Sequence, residues 1–155
     1  MVASNPSAFI LLADDDDDDC LLMKQAFQKA KFPNEHRRVR NGEELMKTLL
    51  PPQGARRDAS ASLPMLILLD LNMPKKDGRQ ALREIKTHPE LRRIPVVVLT
   101  TSNLEEDVLR SYQDGANSYI RKPTSFDKLV DSVRTLDKYW FETVELPAPA
   151  PRAGN

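Results

Sequence analysis

Short apolar runs punctuate the chain, separated by longer stretches in which apolar residues recur at helical spacing. Phe9–Ala13, Met65–Leu69 and Pro95–Leu99 are apolar on both faces. Too short for helices, they read as strands of a parallel sheet covered on both sides. His36–Arg40 is far more polar and fits an edge strand, if it is a strand at all; Ser118–Arg121 is a fifth, moderately apolar candidate. Helical segments lie between them. Asp18–Lys31 carries Leu21, Leu22, Ala26 and Phe27 as its apolar residues, and Ser125–Tyr139 carries Leu129, Val133 and Leu136, with Trp140 just beyond. Glu43–Leu50, Arg79–Lys86 and Glu105–Gln113 complete the set. Five strand–helix units in succession imply right-handed crossovers and a doubly wound α/β sandwich with strand order 2-1-3-4-5.

Local signals support these boundaries. Asn41-Gly42 supplies a turn before the second helix, Pro51-Pro52 ends it, and Gln53–Ser62 reads as an exposed loop. Gly115 follows the fourth helix where a left-handed residue is wanted, and Thr124 and Ser125 are both candidate N-caps for the fifth. Residues 1–8 read as a flexible N-terminus, and Pro147–Asn155, rich in Pro and Ala, as a disordered tail. The expected domain is therefore residues 9–146, without internal repeats.

Composition narrows the function more than the fold. The chain has 155 residues, the size of one domain, with 23 Lys+Arg against 23 Asp+Glu and formal net charge zero. That balance disfavours generic electrostatic binding to nucleic acid or an anionic membrane. No apolar run approaches the ~20 residues needed to span a bilayer. The first eight residues lack a basic start and an apolar core, and the single Cys20 has no internal partner, so a reducing, cytoplasmic location is expected. Cys20 reads as a small core residue, with nothing basic placed to activate it.

In open α/β sheets, ligands bind beyond the carboxyl ends of the strands. The residues there are Asp14 and Asp15 after the first run, Asp70 and Asn72 after the third, Thr100 and Thr101 after the fourth, and Lys122 after the fifth. Grouped carboxylates repel, by about 4 kcal/mol for two charges ~4 Å apart at an effective dielectric of 20, so a cation must help. Hard oxygens with room for water suit Mg²⁺, whereas His36 and His88 are too few and too far apart for zinc. Mg²⁺ beside an Asp, a Lys and a Thr describes phosphoryl transfer in which an Asp accepts the group covalently. No glycine-rich phosphate loop is present, so ATP is not the expected direct donor.

These residues resemble the receiver domains of two-component response regulators. The resemblance covers nearly all of residues 9–139 and rests on Ile-Leu-Leu-Ala-Asp14-Asp15, Leu-Leu-Asp70-Leu-Asn-Met-Pro74-Lys-Lys-Asp-Gly78, Val-Leu-Thr100 and Tyr119-Ile-Arg-Lys122-Pro123. It implies a flavodoxin-like fold and Asp70 as phosphoryl acceptor. Asp15 would be a direct Mg²⁺ ligand, Asp14 a water-mediated one, and the Asn72 backbone carbonyl a third protein oxygen. Lys122 would pair with the acyl phosphate and be followed by a cis peptide to Pro123. Thr100 would donate its hydroxyl to the phosphoryl group and draw Tyr119 inward, with Thr101 competing for the part. The run Asp14–Asp19 holds six acids where such receivers generally have two or three. Asp14 and Asp15 abut the strand, while Asp16–Asp19 read as solvated or as favourable charge in the first helical turn.

The segment Lys138–Pro147 further resembles an extension found in stand-alone regulators that partner phytochrome-type histidine kinases. This resemblance implies such a kinase as donor, no following output domain, and homodimerisation through the fourth helix, fifth strand and fifth helix. Tyr139, Trp140 and Phe141 are adjacent, so one α-helical face cannot bury all three; they read as a dimer or partner surface, or as a closure over the domain's own core. Two other functions stay in view. One is a Mg²⁺-dependent phosphatase with an Asp-x-Asp pair, which Asn72 argues against because an amide cannot protonate a leaving group at neutral pH. The other is an unphosphorylated adaptor of receiver shape. A metabolic enzyme is not expected.

Overall fold

The computed structural model describes residues 9–50 and 63–147. Five parallel strands, β1 (Phe9–Ala13), β2 (Glu35–Val39), β3 (Leu66–Leu69), β4 (Val96–Thr100) and β5 (Ser118–Arg121), form one sheet in the order β2-β1-β3-β4-β5. The five helices are α1 (Asp17–Lys29), α2 (Gly42–Leu49), α3 (Gly78–Thr87), α4 (Glu105–Gln113) and α5 (Phe126–Asp137). A π-helical segment, Lys138–Thr143, continues α5. Fold class and strand order match the sequence reading. The expected loop Gln53–Ser62, the Pro51-Pro52 helix stop, the first eight residues and the tail beyond Pro147 lie outside the described residues.

The alternation of side chains along each strand builds two cores. Leu11, Ala13, Ile67, Leu69, Val96 and Val98 face α2 and α3, packing with Leu45, Leu49, Leu82 and Ile85. Ile10, Leu12, Leu66, Leu68, Val97 and Leu99 face α1 and α5, packing with Met23, Ala26, Phe27, Val130 and Val133. Every residue of β1, β3 and β4 is buried, the condition under which a strand reads as an unbroken apolar run. β2 sits at the edge, where exposed Glu35 and Arg37 alternate with half-buried His36 and Arg38 before buried Val39.

Three details depart from expectation. The buried face of α1 is Met23, Ala26 and Phe27, while Leu21 and Leu22 are exposed; the i, i+3, i+4 row through Met23 meets the sheet, and Leu21 and Leu22 fall outside it. Trp140 is buried at 8% exposure and Phe141 packs edge-on against Phe32. Trp140 and Phe141 thus close over the domain's own core, and of the three adjacent aromatics Tyr139 is the exposed one. The widened π turn carries Trp140 and Phe141 on the inward side and leaves Tyr139 outside, so the three adjacent aromatics are not all buried. Finally, no cis peptide occurs among the described residues, so Lys122–Pro123 is trans, the form that X–Pro bonds favour by about 0.5–1 kcal/mol.

Helix α4 is built inside out. Its buried residues are Asp107 and Ser111, while Leu109 and Tyr112, with Leu104 at its N-cap, are exposed. Polar contacts therefore carry much of its attachment.

Candidate functional site

The sheet itself delivers the site. Beyond the last residue of β1, Asp14 continues the ladder by donating its N–H to the Val39 carbonyl; Asp70 does the same to Ala13, and Lys122 to Thr100. Three chemically active side chains are therefore placed by backbone pairing at one carboxyl edge, on the rigid part of the molecule.

Asp14, Asp15 and Asp70 each offer a carboxylate oxygen, and these lie within 4.8 Å of one another. Asp14 and Asp70 are buried and Asp15 is exposed. Lys122 Nζ donates to Asp14 Oδ2 at 2.7 Å, Asp19 Oδ2 at 2.8 Å and Asp70 Oδ2 at 3.0 Å. The buried Thr100 hydroxyl donates to Asp70 Oδ1 at 2.8 Å, and the Asn72 N–H donates to the same oxygen at 3.1 Å. Thr101 is exposed. Burial pushes the Asp14 carboxyl above its usual range, against the opposing pull of its Lys122 hydrogen bond. Burial alone would lower the Lys122 ammonium, but its bonds to Asp14 and Asp19 outweigh it and raise the group well above the ordinary lysine value. Cys20, half-buried beside Asp14, is pushed up to about 11 by burial and has no nucleophilic character at neutral pH.

The donor set suits a divalent cation: hard oxygens, close convergence, and four carboxylates against one ammonium. The fold also braces the loop carrying Asp70. Asp77 caps α3 through Gln80 N–H, and the Gly78 N–H donates to the Leu71 carbonyl at 2.9 Å. A Cβ on Gly78 would run into the Asp70 carbonyl oxygen, so only glycine lets α3 start this close to the site.

A second set of polar contacts links the site to α4. Arg79 grips Asp107 with two bonds, at 3.1 and 2.9 Å, and Ser102 Oγ donates to Asp107 Oδ2 at 2.6 Å. The Tyr119 hydroxyl donates to the Ser102 carbonyl at 2.9 Å. Tyr119 thus touches the β4–α4 loop, not Thr100 itself. The hydrogen bonds from Arg79 and Ser102 hold the Asp107 carboxyl below its ordinary range. A carboxyl so depressed contributes stability above its unfolded pKa near 4 and loses that contribution as pH falls through its folded value. Arg79→Ala is expected to cost about 1–2 kcal/mol at pH 7 in urea titrations, and the gap from wild type should close below about pH 4.

Four participants carry no local sequence signal. Asp19 does not stay in solvent or merely charge the helix end; it reaches Lys122, being i−4 from buried Met23 on the inward row of α1. Asp17 accepts from Arg38 and Arg40 at 2.8 Å each, contacts invisible until the edge strand is placed. Asp107 and Arg79 carry no local motif. Asp16 does cap α1, through Asp19 N–H.

A family model described as the response regulator receiver domain matches residues 10–134. The chain belongs to this family. As a receiver domain it is 43% identical over 145 residues to response regulator Rcp1 of Synechocystis sp., covering 94% of this chain and 97% of Rcp1. Its fold superposes on the crystal structure of the phosphorylated cyanobacterial phytochrome response regulator RcpA with a TM-score of 0.82 at 42% identity, over 91% of this chain and 99% of that one. The Mn²⁺-bound form of Rcp1 gives a TM-score of 0.78 at 41% identity, with the same coverage. Receiver domains work in signalling with histidine kinases, and no described helix here is long and apolar enough to cross a membrane.

Proposed function

We propose that this receiver domain takes a phosphoryl group from a phosphohistidine of a phytochrome-type histidine kinase onto Asp70, in the cytoplasm, and signals through binding, not through turnover of a metabolite. The carrying observation is the set of partners around Asp70, with Thr100, Asn72 N–H and Lys122 all donating to its carboxylate. An Asp70 oxygen attacks phosphorus, the P–N bond to the imidazole breaks, and the leaving nitrogen takes up a proton. Lys122 and the Thr100 hydroxyl hold the charge that moves onto the phosphoryl oxygens.

Mg²⁺, when bound, would neutralise the phosphoryl oxygens and the clustered carboxylates. Asp15, exposed, suits direct ligation. Both Asp14 oxygens already accept hydrogen bonds, from Asp16 N–H and Lys122, which suits contact through water. The Asn72 carbonyl is the third protein oxygen in this reading. The Asp107–Ser102–Tyr119 contacts form the route by which a change at Thr100 reaches α4. The exposed Leu109, Tyr112 and Tyr139 support homodimerisation through the α4–β5–α5 face.

Intact-protein mass after incubation with Mg²⁺ and a small phosphoryl donor tests this reading. Gain of one phosphoryl group, abolished by a chelator and accompanied by altered dimer association in sedimentation, is expected. No gain with any donor would return the chain to the adaptor reading.

A further inference from the structure

A lysine ammonium has three N–H donors and no acceptor, and in Lys122 each is taken by a different carboxylate, those of Asp14, Asp19 and Asp70. The three partners are not equivalent. Asp14 and Asp70 belong to the close cluster with Asp15, whereas Asp19 does not. A cation drawn to that cluster would compete with Lys122 for Asp14, and a phosphoryl group on Asp70 would draw the lysine off that carboxylate. Asp19, outside the cluster, is the one partner that neither event takes away.

Its own placement is firm. It stands in the first turn of α1, which is tied to the β2 edge by Asp17 through Arg38 and Arg40 and capped by Asp16. Asp19 therefore links Lys122, on the far side of the site after β5, to a helix anchored on the other side of the sheet.

We propose that Asp19 is the positioning residue for Lys122, holding its ammonium within reach of the acceptor carboxylate while the other two partners change. The inference rests on the phosphoryl-acceptor reading for its kinetic consequence but not for its structural one. An ammonium held only by groups that leave it during the reaction would swing on a four-carbon stem, and small misplacements of a charge-stabilising group carry large rate penalties.

The test uses the full chain with ¹⁵N-labelled lysine, Mg²⁺ and a small phosphoryl donor. Wild type should give a slowly exchanging Lys122 ammonium resonance. Asp19→Ala should lose that resonance and lower the limiting transfer rate about tenfold, with half-saturation by donor unchanged; Asp19→Asn, which keeps an acceptor oxygen, should fall between. Asp18→Ala removes an exposed acid from the same helical turn, one with no part in the anchoring of α1 to β2, and should leave resonance and rate as in wild type. An intact resonance in Asp19→Ala, an unchanged rate there, or an equal loss in Asp18→Ala would each overturn the proposal. If wild type gains no phosphoryl group at all, the acceptor reading fails, and the resonance still decides whether Asp19 holds the lysine.

Discussion

Asp70→Asn should abolish phosphoryl gain while leaving the fold intact. The amide keeps the size of the carboxylate and one acceptor oxygen for Thr100 and Asn72 N–H. It loses the anionic oxygen that must form the P–O bond, so the rate should fall by about 100-fold or more, below detection in a mass assay. Two secondary effects have opposite signs. Divalent-cation affinity should drop, because one of three clustered carboxylates is gone. Removing a supporting partner of bound metal already costs about 10–100-fold elsewhere, and a member of the cluster itself should cost no less. Stability without metal should change little, as the Asp70 charge both attracts Lys122 and repels Asp14 and Asp15. Mass spectrometry, cation titration and urea denaturation separate the three, and phosphoryl gain by the variant at the wild-type rate would remove Asp70 from the mechanism.

Lys122→Met should be the most destabilising single change in the site. It leaves Asp14 and Asp70 buried, and Asp19 half-buried, without the ammonium that all three now share. Stranding buried charges costs about 3–5 kcal/mol, and the partial exposure of Asp19 puts the expected loss near the lower end, about 3 kcal/mol at pH 7. In wild type the folded lysine value lies above the unfolded one, so its contribution is fully present below about pH 10.5 and fades as pH rises through the folded value. In the variant the carboxylates decide. Asp14 is already raised by burial and should rise further once its cation is gone, so acidification from pH 7 to 5 should recover stability as it takes up a proton. Millimolar Mg²⁺ should recover it at constant pH, by binding the folded form alone. Urea titrations across pH and Mg²⁺ measure both; a variant indifferent to either would mean the carboxylates do not repel as their geometry requires.

How much of this was legible beforehand follows from which interactions are local. Strands buried on both faces announce themselves as apolar runs, and the residues after them inherit their position from the sheet, which is why Asp14, Asp70, Thr100 and Lys122 could be named together. β2 is harder to read, because its first four residues are polar on both faces, exposed and half-buried in turn, and it carries no apolar run. Its uncertainty propagated: without β2 in place, Arg38 and Arg40 had no reason to meet Asp17. Asp19 was hidden inside a run of six acids, where composition suggests solvent, and only the helical row shared with Met23 separates it from its neighbours. The aromatic segment stays open in the sequence for a different reason. Periodicity establishes that three adjacent aromatics cannot all be buried and leaves a partner surface and a closure over the core as alternatives; the π turn, which it cannot foresee, puts Trp140 and Phe141 into the second.

The inside-out build of α4 also fixes how the domain should respond to temperature. Shifting a helix whose buried contacts are Arg79–Asp107, Ser102–Asp107 and Ser111 exchanges polar groups with water and moves little apolar area. Heat-capacity change follows apolar exposure, so the balance between two positions of α4 should carry a small one and a nearly linear van't Hoff plot. Association through Leu109 and Tyr112 would bury apolar surface and carry a clearly negative one. Calorimetry across a range of temperatures can therefore assign a response of this protein to helix movement or to pairing of chains, two events that a single-temperature affinity would merge.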